Sequence, residues 1–270
     1  MKAISVENIT NDTTLEYWEE NKAKFLPPKG TPITVDQMVD LINEKAQTFQ
    51  IEDGKIDGIP YPVETLIHKQ NNEFHEEEEL GHHNALMLDA SRFFGEDLAS
   101  DDPLRLVVLE RVIIWSDVGK EAAYSEPKFP DKHENAGQYK KVWPDGSPQG
   151  AAWGHASKSA KMLRAALDES KPTRYAELYD EILFYVEHHM LGHDLEEERE
   201  KGTLAMPDWL APQVAGIEPW NWPSHSELDI PHVEGTGFGK KRLKWLSLDT
   251  PMLRCKAKCD EAGRISDLTF

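Results

Sequence analysis

Six of the eleven histidines fall in two short stretches. His75, His82 and His83 lie in NNEFHEEEELGHH, and His188, His189 and His193 in VEHHMLGHD, interleaved with carboxylates. Imidazole nitrogens and carboxylate oxygens are donors that divalent transition metals accept. On a helix, His75, Glu79 and His82 are four and three residues apart and share one stripe, close enough to hold one or two ions. In the second stretch Tyr175, Leu178, Ile182 and Val186 form an apolar face, and the same period continues onto His189 and His193. The inward face changes from aliphatic to imidazole without changing phase. Buried polar groups need partners, and one metal ion can serve several together. Glu110, a lone acid in LRLVVLERVIIW, and His155, on a small-residue face, complete the candidate set. The expected ligands are therefore His75, Glu79, His82, Glu110, His155, His189 and His193. This N/O shell suits iron, manganese or zinc, whereas structural zinc more commonly takes cysteine.

Bland alternatives exist for each group. HEEEEL also fits a solvated helix face, with His83 and Glu76, Glu77 and Glu78 outward by phase. His189 and His193 also fit a hydrogen-bonded core pair, and Glu110 an exposed or salt-bridged acid.

The elements that must position these residues read as a mainly α protein. Residues 1–61 form an N-terminal helical extension, in which Thr34 and Gln37 have capping-box spacing ahead of the stripe Val35, Met38, Val39 and Ile42. Residues 62–205 form a helical metal-binding core of four segments. The first spans 63–94. The second opens at Asp101-Asp102-Pro103, an N-cap acid with proline at the first helical position, and continues through an all-round apolar run. The third spans 149–169 and the fourth 174–199. Four helices of similar length predict a four-helix-bundle-like core with inward side chains. A polar loop over 119–148 is long enough to line or cover a site. Residues 206–270 are a Pro/Trp-rich tail, whose end, LRCKAKC-DEAG-RISDLTF, reads as a β-hairpin with alternation on both arms.

HxxxE at His75 to Glu79 and HxxxH at His189 to His193 resemble motifs of the hemerythrin-like group, and Glu79-x-x-His82 resembles the carboxylate–His element of helical non-heme diiron proteins. This resemblance covers about two helices. It implies an iron centre, dinuclear in those families, that binds or activates dioxygen. A separate resemblance, of His193-Asp194 to HD-type phosphohydrolases, would require another histidine shortly upstream and a later aspartate from the same compact bundle.

Composition narrows the field. Thirty basic residues against 49 acidic give a formal charge of −19. That charge repels nucleic acid and anionic lipid, so neither is an expected partner. The two cysteines, Cys255 and Cys259, form no disulfide framework and read as reduced thiols of a cytoplasmic protein. The opening residues lack an apolar signal core, and no run approaches the roughly 18 apolar residues of a membrane span. The leading expectation is an iron protein that activates dioxygen to oxidise a small molecule. The alternatives are a zinc- or manganese-dependent hydrolase with the same ligands, and a non-enzymatic acidic helical interaction protein. A homo-oligomer is compatible with all three.

Overall fold

The structure is a computed structural model. It describes residues 12–70, 77, 79–100, 102–124, 141–142, 148–149, 154–192, 208, 210–218, 221 and 251–265. The fold is mainly helical. α1 (Leu15–Asn21) starts where the Thr14 hydroxyl accepts a hydrogen bond from the Tyr17 amide at 3.2 Å. α2 (Val35–Lys45) carries the expected capping box: Thr34 accepts from the Gln37 amide, and the Gln37 side chain accepts from the Thr34 amide. Its buried face is Met38, Leu41 and Ile42. A small antiparallel hairpin follows, β1 (Lys55–Ile56) and β2 (Ile59–Pro60), turning at Asp57 and Gly58 with φ of 53° and 84°.

The segment 63–94 is not one helix. A 3-10 turn over Val63–Ile67 ends at the extended His68, Lys69 pairs in a β-bridge with Glu79, and α3 (Leu80–Phe94) begins at the next residue. Glu79 is therefore the extended residue before the helix, at φ −90° and ψ 146°, and does not sit on a helical stripe. After α4 (Glu96–Ala99), α5 (Leu104–Ser116) opens at Asp102, whose carboxylate accepts from the Leu104 amide at 2.9 Å. Its Val- and Ile-rich run is helical, and it is buried without break from Val107 to Ser116. α6 (Lys120–Tyr124) and a second short hairpin, β3 (Lys141–Val142) with β4 (Pro148–Gln149), come next. α7 (His155–Glu169) and α8 (Tyr179–His188) follow, and α8 passes into a 3-10 turn, His189–Gly192. α9 (Ala211–Val214) and α10 (Pro251–Ala262) complete the described elements.

The C-terminal β-hairpin expected over LRCKAKC-DEAG is instead α10. Its buried residues Met252, Leu253, Lys256, Ala257 and Asp260 recur at helical spacing. Two of them carry charge, and reading those as outward produced the apparent two-residue alternation. Cys255 and Cys259 are one turn apart on this helix, and both are free and buried.

One hydrophobic core runs from Trp18 through α2, α3, α5, α7 and α8 to Cys259. α10 packs on α3 and on the 189–192 turn. α5 packs on α3, α7, α8 and α10, and α7 packs on α8. The N-terminal segment belongs to this body: Lys22 Nζ donates to the Ala262 carbonyl at 2.6 Å. Among the described residues, no helix is long and apolar enough to cross a membrane.

Candidate metal centre

Where α3, α5, α7, α8 and α10 meet, five buried side chains from five places in the chain converge. Asp117, just past the end of α5, shares one triad with His155 and His189 and another with His83 and Asp260. In each triad the candidate ligand atoms lie within 4.8 Å of one another. Asp117 Oδ1 is 3.2 Å from His155 Nε2 and 3.8 Å from His189 Nε2. Its other oxygen, Oδ2, is 4.0 Å from His83 Nε2, which is in turn 2.8 Å from Asp260 Oδ1. One carboxylate thus turns an oxygen toward each group.

Local chemistry holds each ring. His189 Nδ1 donates to the Val186 carbonyl at 2.8 Å, so Nε2 presents its lone pair inward. His83 Nδ1 faces two acceptors, the Glu77 carboxylate at 3.0 Å and the Gly263 carbonyl at 3.2 Å, while its Nε2 faces the Asp260 carboxylate, so both ring nitrogens are held by acceptors. This is the carboxylate–histidine arrangement that orients metal-binding imidazoles. Ser159 bolts α7 to the end of α5: its hydroxyl accepts from the Gly119 amide at 2.9 Å and donates to the Ser116 carbonyl at 2.6 Å. The close approach also needs Gly119 itself, because a Cβ there would lie 2.6 Å from the His155 carbonyl oxygen. Gly192 performs the same service for the 189–192 turn, where an added Cβ would collide with the Leu253 carbonyl of α10.

The electrostatics are those of a crowded buried site. Burial would push Asp117 up, but Lys120, the hydrogen bond from His155 and the charge of Lys256 hold it well below the usual carboxylate range. Burial pushes His189 well below the ordinary imidazole value, helped by Lys256 and His155, so it is neutral. His83 goes the other way: burial would lower it, but its hydrogen bonds to Asp260 and Glu77 outweigh that and raise it. Lys120 Nζ lies 3.1 Å from Asp117 Oδ2, and Lys256 Nζ 3.8 Å from Asp260 Oδ1. Despite the nearby ammonium, Asp117 Oδ2 receives no well-directed hydrogen bond. A buried carboxylate oxygen left so suits a cation beside it, and the all-N/O donor set suits a borderline or hard divalent ion. These buried His/Asp groups can hold a metal ion.

Of the residues expected from sequence, His155 and His189 stand at this centre, their Nε2 atoms 3.0 Å apart. Glu110 does not. Its fully buried carboxylate accepts from the Gln47 and Thr48 amides at 2.9 and 2.8 Å and from the Thr48 hydroxyl at 2.6 Å, strapping the 47–48 loop to α5. Glu79 and His82 pair with each other at 2.9 Å and face a separate cleft. His75 and His193 lie outside the described residues. His83, Asp117 and Asp260 were missed. His83 looked outward by phase, but α3 has no outward side at that point, since every residue from Leu80 to Ser91 is buried. The available signal was Asp117 itself, an acid close behind the long apolar run of α5, where a buried acid needs a partner. Neither a family model, nor a curated protein, nor a solved structure matches this chain.

Proposed function

We propose that this chain is a metal-dependent hydrolase acting on a phosphate-bearing small molecule at a two-ion site bridged by Asp117. The observation that carries the two-ion reading is the split of the Asp117 carboxylate between the two triads. His155 and His189 would hold one ion and His83 and Asp260 the other. Such ions supply Lewis acidity and lower the cost of deprotonating water near neutral pH. The chain's own groups do the rest. The Val186 carbonyl and the Glu77 carboxylate aim the rings of His189 and His83. Lys120 and Lys256, buried at 6% and 1% exposure, place two ammonium groups beside the carboxylates. With ions neutralising those carboxylates, the two ammonium groups would add positive charge beside an anionic substrate, which favours phosphate over dioxygen.

The second reading keeps the expected iron and dioxygen. Its support is the three imidazoles with a shared carboxylate in a fully buried setting, a shell that also accommodates redox-active iron. The two readings separate in one experiment. The purified chain is loaded with Mn²⁺, Zn²⁺ or Fe²⁺ and assayed for phosphate release from nucleotides and simple phosphomonoesters, and for oxygen uptake. Metal-dependent phosphate release that is lost in Lys120→Met supports hydrolysis. Oxygen uptake with Fe²⁺ and no phosphate release under any metal overturns it.

A further inference from the structure

His82 stands next to His83 in sequence but faces a different space. A cleft of about 210 Å³ lies between the 23–31 segment and the start of α3, walled by Leu26, Pro27 and Ile265 and lined on its polar side by Thr31, Glu79 and His82. Nδ1 of His82 faces two acceptors, the Glu79 carboxylate at 2.9 Å and the Glu77 carbonyl at 3.0 Å. Nδ1 must therefore carry the proton, and in the neutral ring Nε2 is left as a lone pair. The side chain is only 8% exposed. Nε2 is buried with no hydrogen-bond partner. A buried acceptor without a donor is costly, and a ligand that brings an N–H or O–H removes the cost.

We propose that this cleft is a binding site for a small primary ammonium ion, whose N–H groups donate to His82 Nε2 and to the Glu79 carboxylate while its carbon body lies against Leu26, Pro27 and Ile265. The polar end is an acceptor-only pair, one imidazole lone pair and one carboxylate. An ammonium group, with three donors and a positive charge, matches it better than a hydroxyl and is opposite in sign to an anion. Lys29 also lines the cleft, with its residue exposed to solvent. The formal charge of −19 favours arrival of a cation over an anion. This site does not depend on the hydrolase reading, because neither His82 nor Glu79 belongs to either triad.

The test titrates n-butylammonium into the full metal-loaded chain, following the His82 ring nitrogens by ¹⁵N NMR, with 1-butanol and butyrate as controls. Saturable low-millimolar binding that moves the His82 Nε2 resonance is expected, with butanol at least tenfold weaker and butyrate without effect. Glu79→Gln keeps an acceptor for Nδ1 while removing the charge, and should weaken the amine at least tenfold. His82→Phe should abolish binding. Three results would overturn the proposal: no saturable amine binding, equal binding of amine and alcohol, or unchanged affinity in Glu79→Gln. Saturation of the same resonance by Zn²⁺ alone would also overturn it, by assigning the site to a metal.

Discussion

Nε2 of His155 and Nε2 of His189 meet at 3.0 Å, with ring centroids 4.9 Å apart, inside the core. His189 has spent its N–H on the Val186 carbonyl, so the hydrogen between the two nitrogens belongs to His155. An ion that takes both lone pairs requires the His155 proton to move to Nδ1.

Metal binding should release a proton from His83: burial lowers this ring, yet its bonds to Asp260 and Glu77 win and leave it raised. The sign follows for the metal-free chain. The His83 contribution to stability is full below the ordinary imidazole value of 6.5 and is lost as pH rises through the higher folded value. Metal competes with this proton, so affinity should climb with pH over the same window. Calorimetric Zn²⁺ titration in two buffers of different ionisation enthalpy should give at least one proton released per chain. Zero release would contradict the assignment.

Glu77 touches no candidate ion, but its carboxylate holds His83 by Nδ1 and accepts from the Ile265 amide at 3.1 Å. Glu77→Gln should retain the fold and lower metal affinity by about 10- to 100-fold, as loss of such outer partners usually does. Competition against a chromogenic chelator reads the change directly.

Gly119→Ala should separate α5 from α7. The added methyl would stand 2.6 Å from both the His155 carbonyl oxygen and the Ser159 amide nitrogen, and neither backbone can turn aside. A loss of about 1–3 kcal/mol in urea unfolding is expected. Metal affinity should fall with it, because Asp117 lies two residues away.

Asp89 supplies a pH dependence unrelated to metal. It is buried beside Lys45 at 3.6 Å, and burial, only partly offset by Lys45 and Arg92, raises it from 3.8 to about 6. A raised carboxyl favours its protonated form in the folded chain, so its contribution is full below 3.8 and is lost as pH rises through about 6. Relative to wild type, Asp89→Asn should gain stability across that window, by an amount on the order of 3 kcal/mol at most. Urea unfolding at pH 4, 5, 6 and 7 measures it. A difference constant with pH would refute the shift.

The helical class, the caps at Thr34 and Asp102 and the inward turn of His189 were legible because each follows from local chemistry or from a clean apolar period. The remaining ligands were hidden by one cause. On α3 and α10 polar side chains occupy the buried face, and a pattern search takes polar for outward. His83 then looked solvated, and Lys256 and Asp260 made a helix resemble a strand and its turn. Glu110 misled in the opposite sense: it is buried, but the Gln47 and Thr48 amides and the Thr48 hydroxyl rather than an ion satisfy it. Asp117 sits in a turn, where no periodicity reports which way a side chain points.

Elemental analysis of the purified chain, after expression with ample manganese, iron and zinc, bears most directly on the bridging role of Asp117. Two divalent transition ions per chain are expected, with both lost or sharply reduced in Asp117→Asn at unchanged helical circular dichroism. A wild-type chain carrying less than about a tenth of an ion, or an Asp117→Asn chain retaining its full complement, would contradict it.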